Sequence, residues 1–196
     1  MNEQHQMMPF GIRFDLASGI SDERKPIQRR LSQMRGMYSD DAALESLIAK
    51  EDSLVYEFYE LDDIPPNSPN LLFGTSILYP GKVADEYFMT KGHFHTVLQA
   101  PEVYYCLRGT GYLVMETAEG KTYAERLEPG TAVYVPGYHA HRSVNTGGDP
   151  LVTFFTYPAN AGHDYHTIET KGFRQLVIER GSRPTIVDNP RWRDRS

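Results

Sequence analysis

From residue 54 onward, the chain is a succession of short segments rich in aromatic and β-branched residues, the types that favour β-strands. Glycine-containing turns lie between several of them, at residues 108–111, 119–120 and 129–130. This spacing leaves no room for the helices that alternate with strands in an α/β fold. Seven or more short strands joined by tight turns predict an all-β sandwich or barrel. The segments are LVYEFYE, LLFGTSILY, DEYFMTKGHFH, EVYYCLRG, GYLVMETA, KTYAERL, TAVYVP, HRSVN, LVTFFTY and RQLVIER.

The first part of the chain lacks this strand pattern. It begins as an extended arm, and its apolar positions predict a short helix after Pro26. A second helix is expected over residues 40–50, with Ser39 as its N-cap. We therefore expect residues 1–53 to form an arm and short helices that pack on a barrel. Residues 54–196 are expected to form that barrel with a C-terminal extension, all in one structural domain.

Composition narrows the possible functions. The 196 residues suffice for one domain with a sizeable core, and the single cysteine, Cys106, excludes an internal disulfide. The formal net charge is −6, so nucleic-acid binding is not expected. No apolar run is long enough for a membrane span and no signal-peptide pattern is present, so we expect a cytoplasmic protein. Two short basic clusters, interpreted as surface charge or subunit contacts, are Arg29 with Arg30 and Arg191 with Arg193 and Arg195.

Three histidines and one glutamate have a spacing that suits a metal site. His93 and His95 are two residues apart in a predicted strand, so their side chains point to the same face about 7 Å apart along the backbone. Glu102 opens the next strand, and His141 follows a proline turn much later. Such a set suits a borderline divalent ion and leaves coordination positions open, as a catalytic metal requires. His139 is the competing histidine ligand.

Two spaced motifs contain these four residues. G-x5-P-x4-H-x3-N is present at Gly130, Pro136, His141 and Asn145, and H-x-H-x6-E-x6-G at His93, His95, Glu102 and Gly109. Together they resemble the two signature motifs of the cupin superfamily. The chain departs from the common pattern in having six residues between the second histidine and the glutamate. It also has Tyr87 and Tyr138 where glycine is frequent.

Longer strings point to one branch of that superfamily. TKGHFH…EVYYCLRGTG, EPGTAVYVPGYHAHRSVNTG, TYPANAGHDYHTI and VDNPRW resemble the cupin-type glucose-6-phosphate isomerases of archaea and some bacteria, as do PFGIRFDLASG, RRLSQMRGMY and SILYPGKV. The resemblance implies a single cupin barrel, a double-stranded β-helix of the jelly-roll type, commonly assembled as a homodimer. It also implies metal-dependent aldose–ketose isomerisation of glucose 6-phosphate and fructose 6-phosphate, a step of glycolysis and gluconeogenesis.

The resemblance also assigns roles to residues. One divalent ion per subunit would be held by His93, His95, Glu102 and His141, with Fe²⁺ expected and Mn²⁺, Ni²⁺ or Zn²⁺ also suitable. Glu102 is the candidate proton carrier between C1 and C2, and His163 is a second acid–base candidate, for opening the sugar ring. The reaction can pass through a cis-enediol or by a hydride shift, and the sequence does not separate the two routes.

A polar and aromatic shell would hold the sugar phosphate. Hydroxyl groups and a glycine amide can donate hydrogen bonds to phosphate oxygens, and Lys91 would add charge unless strand alternation turns it away. The phosphate positions that match the family are Thr75, Ser76, Thr90, Gly92 and Tyr157. The rest of the expected shell is Tyr56 or Tyr59, Tyr104 and Tyr165.

Two other functions fit the same ligand set. A dioxygenase of the cupin superfamily would need a largely apolar pocket that admits oxygen, which the hydroxyl-rich TS and TKG segments argue against. A non-catalytic cupin that binds a sugar phosphate is the second alternative, because cupins host many functions on one fold. The complete set of four ligands favours the isomerase over both.

Overall fold

The computed structural model describes residues 8–61, 63–65 and 70–193. Its helices are α1, Asp41–Lys50, and α2, His166–Lys171, and a 3₁₀ turn spans Leu31–Met34. The strands are β1 Ile27–Arg30, β2 Leu54–Glu60, β3 Leu71–Leu78, β4 Lys82–Val83, β5 Glu86–Tyr87, β6 Glu102–Arg108, β7 Gly111–Thr117, β8 Thr122–Leu127, β9 Ala132–Val135, β10 His139–Asn145, β11 Leu151–Pro158, β12 Gln175–Arg180 and β13 Arg183–Asp188.

The described residues form three antiparallel sheets. The largest has the order β1-β2-β3-β11-β6-β9, the second β10-β7-β8, and the smallest β13-β12-β5-β4. Side chains from the first two sheets share one apolar core, which contains Tyr104 and Phe155 from the large sheet and Leu113 and Val144 from the second. This arrangement confirms the prediction of a β-dominated barrel with few helices.

Alternation along the strands explains which side chains reach the interior. In β6, Glu102, Tyr104 and Cys106 are buried, while Val103 is half-buried and Tyr105 is exposed. Successive side chains of a strand point to opposite faces, so every second residue of the large sheet faces the barrel. Once one residue of a regular strand is known to face the barrel interior, the other inward-facing residues of that strand follow from alternation.

The N-terminal region joins the large sheet. Instead of the helix predicted after Pro26, β1 pairs antiparallel with β2, and only the 3₁₀ turn that follows is helical. Phe14 in the arm packs edge-on against Phe73 and Phe154 on the outer face of the sheet. The predicted short helix was wrong for β1, because pairing with β2 satisfies backbone groups that a helix would have satisfied internally.

Helix α1 lies where it was predicted, but Ser39 is not its N-cap. The Asp40 side chain accepts a hydrogen bond of 2.9 Å from the Ala43 amide, which is the capping geometry. The Ser39 hydroxyl instead donates to the buried carboxylate of Glu86 at 2.9 Å. A tertiary contact thus takes the serine away from the helix terminus, and the next residue replaces it.

Other elements also depart from the expectations. The segment DEYFMTKGHFH holds only the short β5 and isolated bridges rather than one strand, and α2, β4 and β13 were not predicted. The loop expected at residues 64–70 lies partly outside the described residues, and Ile64 within it is buried. Residues 1–7 of the arm, and Arg195, also lie outside them. No helix of the described part of the chain is long and apolar enough to cross a membrane.

Candidate metal centre and substrate cavity

A cavity of about 280 Å³ lies inside the barrel. Strand β2 lines it with alternate residues, as do β6 and β11, and the segments before β6 and before α2 complete the wall. The lining residues are Ile27, Arg29, Tyr56, Phe58, Glu60, Ser76, Thr90, Gly92, His93, Glu102, Tyr104, His141, Ser143, Phe155, Tyr157, His163 and Tyr165.

His93 and His95 follow a break in the regular backbone. Gly92 has φ +74°, in the left-handed region, and a Cβ atom there would lie 2.6 Å from the Phe173 ring. The chain then forms a bridge in which the His93 amide donates to the His141 carbonyl at 3.3 Å and the His141 amide donates back at 3.1 Å. This bridge brings the imidazole rings of His93 and His141 together, with their centroids 4.6 Å apart.

Glu102 completes the cluster from the first position of β6. Its Oε2 atom lies 3.2 Å from Nε2 of His95 and 2.9 Å from Nε2 of His141. One ligand atom from each of these residues and from His93 lies within 4.8 Å of the others. The four residues that the sequence singled out therefore converge on one point inside the barrel.

The hydrogen bonding of the cluster fits a cation at its centre. Nδ1 of His95 lies 2.8 Å from the Ala100 carbonyl oxygen, so Nδ1 carries the hydrogen and Nε2 directs a lone pair toward Glu102. Nε2 of His93 is buried and has no hydrogen-bond partner among the described residues. Lone pairs and a carboxylate oxygen at these distances repel unless a positive charge lies between them. The residues therefore fit a divalent metal ion.

The carboxylate of Glu102 is ionised despite its burial. Desolvation alone would raise its pKa, but when no metal is bound the positive charge and hydrogen bonds of protonated His141 and His95 outweigh that effect and lower the pKa to about 2. An ionised carboxylate and neutral imidazoles are the protonation states that metal binding requires. The site thus needs no proton release from Glu102 at neutral pH.

The competing histidine lies elsewhere. His139 directs Nδ1 to the Gly137 carbonyl at 2.9 Å, and its ring is 5.6 Å from that of Tyr123. It is outside the group of four mutually close ligand atoms. Because His139 and His141 are two residues apart on β10, spacing alone did not separate them, whereas their positions in the fold do.

The segment before α2 brings two further predicted residues to the metal cluster. His163 lies with its ring 4.3 Å from that of His93, and Tyr165 lies 5.3 Å from the same ring. A backbone bridge between Phe94 and Asp164 fixes the segment, with hydrogen bonds of 3.2 and 2.8 Å. Burial lowers the pKa of His163 to about 4, so its imidazole is neutral at neutral pH.

Several of the predicted substrate residues line the cavity: Ser76, Thr90, Gly92, Tyr104, Tyr157 and Tyr165. The Thr90 hydroxyl accepts a hydrogen bond of 3.1 Å from the Ser143 amide, so its own hydrogen remains to be donated into the cavity. Tyr157 differs, because its hydroxyl donates to the carboxylate of Glu60. Tyr157 therefore lacks the free donor that binding a phosphate would need.

Two predicted residues face away from the cavity. Thr75 donates its hydroxyl hydrogen to the Gly19 carbonyl on the outer face of β3, and Tyr59 packs with Ile77 and Val152. Strand alternation allows only one residue of each adjacent pair to face inward, and Ser76 occupies that position. Of the two alternatives for the tyrosine of β2, the structure places Tyr56 at the cavity and Tyr59 outside it.

Lys91 also points away from the cavity. Its ammonium group forms an ion pair of 2.8 Å with Glu169 on α2. The neighbouring Thr90 and Gly92 line the cavity. Lys91, which lies between them, points to the opposite side, as strand alternation suggested. The positive charge for an anionic ligand must come from another residue.

Sequence reasoning missed that residue. Arg29 lines the cavity, and among the described lining residues it alone has a permanent positive charge. Its guanidinium contacts Tyr56 and acts on the pKa of Tyr165 through its charge. Arg29 was interpreted as surface or subunit charge, because only the pairing of β1 with β2 places it here. Alternation within LVYEFYE, by contrast, would have placed Glu60 on the same face as Tyr56.

Comparison with known proteins agrees with this geometry. A family model described as glucose-6-phosphate isomerase (GPI) matches residues 28–193. The chain belongs to this family. A glucose-6-phosphate isomerase of Thermococcus gammatolerans is 49% identical over 94% of this chain and 96% of the relative. One from Pyrococcus furiosus is 48% identical over 94% and 97%. The resemblance drawn from the sequence motifs is thereby confirmed.

More distant proteins complete the comparison. A putative glucose-6-phosphate isomerase of Rhizobium meliloti is 40% identical over 95% of this chain and 89% of the relative. A solved oxalate oxidase structure is 17% identical, with a TM-score of 0.49 over 60% of this chain and 58% of that chain. The latter likeness is too distant to bear on the activity.

Proposed function

We propose that this protein interconverts glucose 6-phosphate and fructose 6-phosphate, with a divalent metal ion held by His93, His95, Glu102 and His141. The observation that carries the proposal is the convergence of these four ligand atoms inside a cavity whose wall also contains an arginine and hydroxyl donors. Fe²⁺ is the ion we propose, and Mn²⁺, Ni²⁺ and Zn²⁺ suit the same nitrogen and oxygen ligands.

The cavity has two chemically different ends. Arg29 is paired with Tyr56 near the start of β2, and Glu60, four residues further along the strand, is about 13 Å from Tyr56. Arg29 supplies a bidentate cation for phosphate oxygens, and Ser76, Thr90 and the Gly92 amide supply neutral donors. We therefore place the phosphate at the Arg29 end and the C1–C2 end of the sugar beside the histidines. We also propose that β1, and with it the N-terminal segment, belongs to the same domain as the barrel, because β1 pairs with β2.

We propose that two side chains move protons at the other end of the cavity. A bound divalent ion would polarise the sugar carbonyl as a Lewis acid. Glu102, ionised and at the ligand cluster, is the group that we propose to carry the hydrogen between C2 and C1 as a proton. His163, neutral and beside His93, is suited to exchange a proton with the ring oxygen and the C1 hydroxyl during ring opening. Deuterium incorporation from heavy water distinguishes this route from a hydride shift.

Metal removal gives the direct test of the proposed function. The measurement supplies fructose 6-phosphate and couples the formation of glucose 6-phosphate to NADP reduction, before and after EDTA treatment. We expect activity to fall by at least about 100-fold after chelation and to return when Fe²⁺, Mn²⁺, Ni²⁺ or Zn²⁺ is added singly. Absence of isomerisation with every one of these ions contradicts the proposal.

The pair Thr75 and Ser76 tests the inward face of β3. Ser76→Ala is expected to raise the KM for fructose 6-phosphate about 3- to 10-fold, since it removes one neutral donor to the phosphate. Thr75→Val should leave KM unchanged and lower the free energy of unfolding by about 1–2 kcal/mol, because the Gly19 carbonyl loses its donor. Steady-state kinetics and urea unfolding measure the two effects. The reverse pattern would show that Thr75, not Ser76, binds the substrate.

A further inference from the structure

Glu60 places a negative charge at the metal end of the cavity. It is the last residue of β2, lines the cavity, and accepts the hydroxyl hydrogen of Tyr157. The Tyr157 ring lies 5.8 Å from that of His95 and 5.3 Å from that of His163. The Tyr157 ring therefore separates the carboxylate of Glu60 from the ligand cluster, and Glu60 lies at the opposite end of β2 from Tyr56, the residue that pairs with Arg29.

The position of this charge matters because the cavity offers a phosphate two competing sites. A divalent ion bound by one carboxylate and three neutral imidazoles keeps a net positive charge, and open coordination positions attract an anionic oxygen. Arg29 and a few neutral donors form the other site. A second carboxylate, one tyrosine ring away from the ligand cluster, opposes the remaining positive charge of the metal end and repels a phosphate dianion in a cavity of reduced dielectric constant.

We propose that Glu60 is a specificity-determining residue that keeps phosphate groups away from the metal end of the cavity. Sugar phosphates then enter with the phosphate at Arg29 and with the uncharged carbonyl end toward the histidines, and free phosphate does not occupy the metal ligands' open side. The inference rests on the proposed function for its consequence in catalysis, whereas the exclusion of anions itself depends only on the charges around the cavity.

The chain provides a matched control on the same strand. Glu57 faces the outer side of β2 and, like Glu60, accepts a hydrogen bond from a tyrosine, here from the Tyr79 hydroxyl at 2.8 Å. Glu60→Gln and Glu57→Gln each remove one negative charge and retain an oxygen that accepts the tyrosine hydrogen. Glu57 also accepts a hydrogen bond of 2.8 Å from Nε2 of Gln28, so Glu57→Gln is the more disruptive of the two changes on the outer face. A shift of phosphate toward the metal end in Glu60→Gln alone therefore reports the location of the charge.

The experiment follows inorganic phosphate by ³¹P relaxation in protein loaded with Mn²⁺, with Zn²⁺-loaded protein as the diamagnetic reference. Paramagnetic relaxation falls steeply with distance from the ion, so it separates phosphate at the metal end from phosphate at Arg29. We expect Glu60→Gln to increase the Mn²⁺-dependent relaxation and to lower the inhibition constant for phosphate about tenfold. The unaltered protein and Glu57→Gln should show neither change. Equal relaxation in the unaltered protein and Glu60→Gln overturns the proposal.

A second variant separates the charge from its anchor. Tyr157→Phe leaves the carboxylate of Glu60 in place and removes only the hydroxyl that donates to it. We expect this variant to exclude phosphate from the Mn²⁺ end as the unaltered protein does, and an increase in relaxation equal to that of Glu60→Gln contradicts the proposal. If the unaltered protein does not isomerise fructose 6-phosphate with any metal, the proposed function fails, while the comparison of the two glutamine variants still decides the role of Glu60.

Discussion

A variant in which alanine replaces His141 is expected to lose its metal ion and at least about 10³-fold in kcat/KM. Nε2 of His141 lies 2.9 Å from the Glu102 carboxylate, and its backbone forms the bridge that aligns His93. Removing the imidazole leaves three ligands, and one of them, the ionised carboxylate of Glu102, loses its principal neighbour. Metal content by mass spectrometry of the purified protein and the coupled isomerase assay measure the two losses.

His139→Ala is the control for that variant. Its imidazole is on the same strand, two residues away, but it hydrogen-bonds to the Gly137 carbonyl and not to the ligand cluster. We expect this variant to keep a full equivalent of metal and kcat/KM within about twofold of the unaltered protein, as for a substitution outside the site. Loss of metal in His139→Ala together with retention of metal in His141→Ala would mean that His139, and not His141, is the metal ligand.

Replacing Arg29 by methionine is expected to raise the KM for fructose 6-phosphate about 10- to 100-fold while kcat falls by less than about fivefold. The guanidinium is the permanent cation among the described residues that line the cavity, and it lies at the end away from the proton-transfer groups. Its loss therefore weakens binding of the substrate and of the transition state alike. Steady-state kinetics with saturating metal resolve the two parameters.

Arg30→Met provides the comparison for charge. The Arg30 side chain reaches outward to the Asp52 carbonyl at 2.8 Å, so this variant changes the net charge by the same amount without altering the cavity. We expect its KM to stay within about twofold of the unaltered value. An equal rise in KM for both arginine variants would mean that long-range charge, and not contact with the phosphate, accounts for the effect.

The sequence by itself determined the class of fold and singled out the four residues that we propose as metal ligands. Strand propensity and turn spacing are local properties, and they located β2, β3 and β6 to β12 apart from details at their ends. The ligand set was accessible because few residue types bind a borderline metal, and because His93 and His95 need only the alternation of a strand to point the same way. The left-handed conformation of Gly92 breaks the strand just before His93, but the side chains of His93 and His95 still point to the same site.

The tertiary structure decided which face of each strand is the interior and which distant residues complete the site. Alternation states that Thr75 and Ser76 point in opposite directions, but only the register of β3 between β2 and β11 places Ser76 inside. Arg29 enters the cavity because β1 pairs with β2 instead of forming a helix. Ser39 gives up the cap of α1 because Glu86, far along the chain, binds it. Each of these outcomes depends on contacts between segments that are remote in sequence. Local residue preferences carry no information about the energies of such contacts.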